Sequence, residues 1–547
     1  MGAPLIQKGC FDIPDVRGIV PRKLKPWIFI AFVLIFQLSG GVYLAAASNM
    51  VGATALMHED IMMAGYASLV GMSLNFAVMF RLKFRFSLRT SLKTCSVALI
   101  ICNLICLHTT NVPLLVTTCF IAGWFRMWGT FACNTTIQLW ITPKRDMAEW
   151  FCFIYLIVQG SMQLDGIITV YTAFWSSWRY IHWLVIGLLS VVFMLTTLLI
   201  RHHRSMPKLP LFGIDWLGSA LWGGVMLCIV FICLYGDHYD WWYSVHIRTA
   251  TLFAIIGIVI NVWRMKLLRH PYIAPIVWKN HIIIKTTILY IIIDFLVSTE
   301  HVFEHAFGEV ILGYDAVNAI SLNWYVFAGV IFSCIFCYIV FAKRRWRFKT
   351  MTIIGFAFAA VYLAYFYFFI DYNLEKEMLI IPLFCRGAAV VICSICFLTA
   401  ISQAGLPFPN FAQALTINGF ASAVLGSNIG PAILGEIFEH TMAKNAMLIG
   451  SKMTAVNTIA THIPHGQLYG IVQQHAMIVS MKEIFGWLLM IAILMIVMLL
   501  AVATDTIRPS AIHPKWSTIR KGIKNSLKIY RRIPIPFVSK WSGTTTE

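Results

Sequence analysis

The chain has 547 residues, 59% of them hydrophobic and 12% charged, with a mean hydropathy of +0.78 and a net charge of +19. No soluble globular domain of this length carries so much apolar surface, so composition alone defines an all-α polytopic membrane protein. In such a chain positive charge is read by its distribution between loops and gives no ground to expect a nucleic-acid partner.

Hydropathy predicts fourteen spans of about 20 residues each. They cover residues 27–50, 61–80, 94–109, 113–139, 149–173, 180–200, 214–236, 248–263, 281–301, 319–342, 350–371, 378–404, 411–437 and 479–504. The first apolar segment, Trp27 to Asn49, is too long for the apolar region of a signal peptide and is read as an uncleaved first span. Basic runs follow the even-numbered spans: Arg81 to Lys93, Lys144 and Arg145, Arg201 to Lys208, Arg264 to Lys279, and Lys343 to Lys349. Both tails are basic too, so both termini are expected in the cytoplasm. The tail from Asp505 to Glu547 is expected to lie against anionic headgroups, making membrane lipid a partner. The long loop from about His440 to Ser480 falls on the opposite side.

Counting suggests halves. A tail (1–26) precedes six spans (27–200); two more spans with their flanking loops (201–280) are inserted before a second set of six (281–504) and a basic tail (505–547). Repeated halves are a common way of placing a solute site at the bilayer midplane. The 14 cysteines are scattered mostly within spans, without disulfide or zinc spacing, and read as packing residues.

The densest chemistry lies in IIIDFLVSTEHVFEH, Ile291 to His305. At about 100° per residue, Asp294, Ser298, His301 and His305 fall within roughly 60° of arc, with Glu300 and Glu304 as an i,i+4 pair beside them. A charge at membrane depth costs at least about 2.5 kcal/mol, so such residues face a bundle interior or an aqueous cavity. A desolvated carboxylate takes up a proton readily, and histidine titrates near neutrality, so Asp294, Asp165, Glu300, Glu304, His301 and His305 are the proton-coupling candidates. Asp165 could equally pair with Arg126. Arg126 and Arg386, in the fourth and twelfth spans, are substrate-binding candidates together with Asn134 and Asn418, or else form ion pairs that fix packing. Ser422, Gly426 and Gly430, followed by Pro431, form a small-xxx-small face for close helix contact. His301, Glu304 and His305 also spell H-x-x-E-H, so a membrane metalloprotease is a remote second reading. No phosphate-binding glycine motif is present, so an ion gradient is the expected energy source, with no cofactor or resident metal.

Several stretches resemble the fourteen-span drug:proton antiporters of the major facilitator superfamily, the EmrB/QacA group. They are FGIDWLGSALWGG (Phe212 to Gly224), DWWYS (Asp240 to Ser244), RHPYIAPIVWKNH (Arg269 to His281), Arg386 to Gly430, and KEIFGWLLMIA (Lys482 to Ala492). The resemblance implies a major facilitator fold of two six-helix bundles plus two inserted helices. It also implies proton-coupled export of an amphipathic small molecule across the inner membrane, with a periplasmic adaptor and an outer-membrane channel as partners. The first half departs from the pattern. The first span reads QLSGGVYLAAASN (Gln37 to Asn49) without the family's Asp, the loop after the second span keeps its basic residues without its Asp, and Asp165 takes the place of the first Gly of the fifth-span motif. Proton antiport therefore does not carry over directly, and a major facilitator carrier of another solute without it is the alternative.

Overall fold

The computed structural model describes residues 15–144, 146–202, 211, 213–304, 306–372, 374–452, 465–501 and 508–509. The first half comprises α1 (Lys25–Leu38), α2 (Ala47–Thr54), α3 (His58–Arg85), α4 (Leu88–His108), α5 (Val112–Ile141), α6 (Met147–Trp175) and α7 (Trp178–Leu199). The inserted pair is α8 (Trp216–Tyr235) and α9 (Val245–Leu267), followed by the one-turn α10 (Pro275–Trp278). The second half comprises α11 (His281–Val297), α12 (Ala316–Ser321), α13 (Asn323–Phe336), α14 (Phe348–Phe369), α15 (Ile380–Ser402), α16 (Phe408–Phe420), α17 (Ser427–Lys452) and α18 (His465–Ala501). π-helical turns prolong α11 and α13 and join α16 to α17.

Among the described residues, thirteen helical stretches are long and apolar enough to cross a membrane, each at one of the expected spans. The first span differs. It is expected as one helix, but α1 stops at Leu38, residues 39–43 run non-helical, and a single 3₁₀ turn at Leu44–Ala46 leads into α2. Adjacent Gly40 and Gly41 explain the break: each glycine weakens a helix by about 1 kcal/mol relative to alanine, and Gly41 adopts φ 90°, open to glycine at little cost. The expected basic tail from Asp505 lies almost entirely outside the described residues.

The halves are pinned internally by close helix contacts. In the first, a side chain at Gly71 of α3 would meet the Phe120 carbonyl of α5, and one at Gly123 would meet the Ser68 carbonyl of α3. In the second, Gly329 of α13 and Gly387 of α15 stand in the same relation to the backbones of Phe384 and Val326. Small residues let backbones approach where apolar burial gives helices in lipid no reason to associate.

The halves meet along two lines, α3 against α16 and α6 against α13 and α15. At the end carrying the basic loops, Asp146, which caps α6, is ion-paired with Arg345, and Lys343 Nζ lies 2.7 Å from Glu149 Oε1. The inserted pair straddles the α3 side of this seam. Tyr235 donates to Asp60 of α3, and Tyr272 donates to the Leu74 carbonyl at 2.5 Å. On the other half, Trp241 Nε1 donates to Glu436 of α17 at 2.8 Å, and the Ala274 amide donates to Gln413 of α16 at 2.9 Å.

Gly71→Val and Gly123→Val should each destabilise the protein by about 1–3 kcal/mol through overpacking of the α3–α5 contact. Gly224→Ala, whose side chain would meet nothing within 4 Å, should not. Thermal unfolding of the detergent-solubilised variants checks this; equal melting temperatures would contradict the packing account.

Candidate functional site

Two groups of ionisable side chains stand at membrane depth, one in each half. In the first half, Arg126 lies fourteen residues into α5, about 21 Å along the helix axis. Its Nη2 donates to Gln37 Oε1 at 2.9 Å, and Gln37 Nε2 donates to Thr130 Oγ1 at 3.2 Å. The first span thus offers an amide where the resemblance expects a carboxylate, and it is this amide that holds the arginine. Gly40 leaves room for the guanidinium: a Cβ there would stand 3.1 Å from Nη1. Nε is sealed without a hydrogen-bond partner, whereas Nη1 is neither bonded nor sealed among the described residues.

Asp165 of α6 interacts electrostatically with Arg126 without an ion-pair contact. Neither carboxylate oxygen is sealed or hydrogen-bonded among the described residues. Tyr43, just beyond the break, is electrostatically linked to both residues. Its hydroxyl donates to Asn103 Oδ1 at 2.8 Å, and that oxygen lies 3.2 Å from His182 Nδ1. An amide carbonyl oxygen can only accept, so His182 carries its proton on Nδ1, leaving Nε2 buried without a partner.

In the second half the π turn Glu300–Glu304 brings both glutamates onto one guanidinium. Arg386 Nη2 lies 3.1 Å from Glu300 Oε1, Nη1 is ion-paired with Glu304 Oε2, and Tyr362 donates to Glu304 Oε1 at 2.6 Å. Thr299 Oγ1 lies 2.7 Å from the Tyr362 hydroxyl. The Arg386 side chain is 4% exposed and that of Glu304 18%, but Glu300 at 38% reaches open space. Arg386 is thus held by two carboxylates, whereas Arg126 has none in contact.

The expected single stripe on the eleventh helix is divided. Glu300 and Glu304 turn to α15, whereas Asp294, thirteen residues or about 20 Å into α11, turns to the α16–α17 junction. There Gly426 provides the room, since a Cβ on it would stand 2.6 Å from that of Asp294, and Gly430 does the same for Ser298. The small-residue face thus works as a packing surface. The Ser422 hydroxyl neighbours Asp294, yet Asp294 Oδ2 is sealed without a hydrogen-bond partner. Near it, Tyr290 and Ser394 hydroxyls lie 2.6 Å apart, with Tyr155 of the first half joining them. Asn134 and Asn418 are buried, each with a carbonyl oxygen lacking a partner.

His305 and the side chain of His301 lie outside the described residues. Glu304, the base that the protease reading requires, has both oxygens taken by Arg386 and Tyr362. Among the described residues no three His, Cys, Asp or Glu side chains gather as metal ligands. Sequence reasoning missed Tyr43, Asn103, His182 and Tyr362. Tyrosines are common in membrane spans and nothing in their spacing marked these, although a histidine and an asparagine within apolar helices could have been flagged as costly.

No protein-family model and no curated protein sequence matches the chain. Solved structures do. A proton-dependent oligopeptide transporter is similar with TM-score 0.55 at 10% identity, covering 88% of this chain and 98% of that one. A point mutant of the peptide transporter POT in complex with sulfate is similar with TM-score 0.52 at 14% identity, covering 89% and 98%. At such identities the likeness speaks for the fold: this is a multi-pass membrane protein with the major facilitator fold.

Removing one member of a buried ion pair costs about 3–5 kcal/mol, because the partner is left charged and unpaired. Arg386→Ala should therefore melt well below the wild type. Arg386→Gln combined with Glu304→Gln should recover part of the loss relative to Arg386→Gln alone. A double variant no more stable than the single would show that the pair does not hold the second half together.

Proposed function

We propose that the protein is a proton-coupled secondary transporter that exports an amphipathic small molecule by alternating access of a site between its two halves. The observation that carries this reading is the state of the intramembrane carboxylates. Asp165 is unbonded among the described residues and Asp294 has a sealed oxygen without a partner, whereas Glu304 is locked by Arg386 and Tyr362. A lone carboxylate at membrane depth is relieved of its desolvation cost by taking up a proton, and access that alternates between the two sides makes that proton exchangeable. Asp165 and Asp294 are thus the coupling acids, in place of the carboxylate absent from the first span. Glu300 and Glu304 with Arg386 form the opposite wall, where Glu300 meets the solute.

The ion pairs of Arg345 with Asp146 and of Lys343 with Glu149 close the basic-loop end and must part in each cycle. In a cell with two membranes the chain works in the inner membrane with both termini cytoplasmic, handing its substrate to a periplasmic adaptor and an outer-membrane channel. A carrier without proton antiport is favoured by one observation: Gln37, which cannot titrate, holds Arg126 where a carboxylate is expected.

Everted vesicles carrying the full chain should accumulate amphipathic dyes under an imposed pH gradient. Asp165→Asn and Asp294→Asn should abolish that accumulation while leaving dye-for-dye exchange intact. Gradient-driven accumulation that survives both changes would exclude these acids from coupling.

A further inference from the structure

The break in the first span has a chemistry of its own. Leu38 to Tyr43 is buried throughout, yet the amides of Gly40, Gly41, Val42 and Tyr43 have no hydrogen-bond partner among the described residues; bonding resumes with the Ala46 amide on the Tyr43 carbonyl. Non-helical backbone at membrane depth is tolerated where it lines a cavity or is covered by protein, and successive free amides around a left-handed residue form a concave seat for an anion. Gly41, at φ 90°, supplies that turn. Arg126 supplies the charge. Its guanidinium lies against Gly40, with one hydrogen bond to Gln37, an unpartnered Nε and an open Nη1. Asp165 interacts with the arginine from α6 without bonding it, and α6 packs on the turn that restarts the span, a Cβ on Gly166 standing 4.0 Å from that of Ala45. Four backbone amides without partners and the open Nη1 of a fork-shaped cation thus lie on neighbouring residues, with a carboxylate nearby as the rival anion.

We infer that the broken first span and Arg126 together form a binding seat for an oxyanion, a carboxylate of the transported solute or a free inorganic anion. As to the solute, this rests on the reading of the chain as a carrier; the seat itself does not. Arg386, the other arginine at membrane depth, is excluded from the role because Glu300 and Glu304 hold it.

Equilibrium titrations of the purified full chain in detergent, followed by tryptophan fluorescence and melting temperature, test the seat without any gradient. The probes are benzoate, sulfate and chloride at constant ionic strength; Trp124 and Trp128 flank Arg126 on α5. A saturable response is expected. Arg126→Gln should weaken it at least about tenfold, the scale of a lost charge-assisted hydrogen bond. Asp165→Asn should tighten it severalfold by removing the rival charge, a gain that a misfolded variant cannot produce. Saturation by benzoate alone identifies a solute carboxylate as the occupant, saturation by sulfate identifies a free inorganic oxyanion, and saturation by chloride alone overturns the oxyanion assignment. The inference is overturned if the wild type shows no saturable response, or if Arg126→Gln or Asp165→Asn leaves the affinity unchanged. Because binding is read at equilibrium, its failure is separate from a failure of gradient-driven transport.

Discussion

Charge at membrane depth must be neutralised, protonated or opened to water, and this constraint organises the molecule. Arg386 meets it by neutralisation: two glutamates a helical turn apart close on it, and Tyr362 takes the remaining oxygen of Glu304. The first half meets it differently. Arg126 is held by a neutral amide, Asp165 stands off from it, and both keep unbonded atoms. The second half thus holds a closed charge cluster at Arg386 beside a separate, unpaired Asp294, and the first half holds an arginine without an ion-pair contact.

The break in the first span belongs to the same arrangement. A side chain at residue 40 would stand against the guanidinium, and a continuous helix there would consume the amides of residues 40–43 in its own ladder. Glycine at 40 and 41 gives up helix stability for space and for a left-handed turn. The inserted pair adds a second constraint, since α8 and the segment leading to α10 bond to α3 on one side of the seam, while that segment and the turn between α8 and α9 bond to α16 and α17 on the other. Any rocking of the halves has to loosen one set of those bonds.

Much of the fold was legible in the chain because lipid imposes long apolar stretches and the basic loops punctuate them. Thirteen spans stand where hydropathy puts them. The break at Ser39 to Tyr43 was not foreseen, since the glycines were noted only for the missing carboxylate, although their adjacency in an apolar run is itself a signal. At the site, the residue types could be read but not their partners. Arg386 and Glu304 are 82 positions apart, and helical spacing says nothing of contacts between helices. The single stripe expected from Asp294 to His305 assumed an unbroken α-helix; the π turn at Glu300–Glu304 sends the glutamates to α15 and leaves Asp294 facing Gly426. The small-residue face at Ser422, Gly426 and Gly430 was read correctly as packing because its spacing carries the mechanism.

The central claim is that Asp165 is an exchangeable acid while Glu304 is locked. Infrared difference spectroscopy of the full chain, titrated across the physiological pH range, tests it most directly. The account predicts a carboxylic-acid carbonyl band that titrates, loses one component in Asp165→Asn and keeps its full intensity in Glu304→Gln. A titrating band unaffected by Asp165→Asn but removed by Glu304→Gln would contradict it.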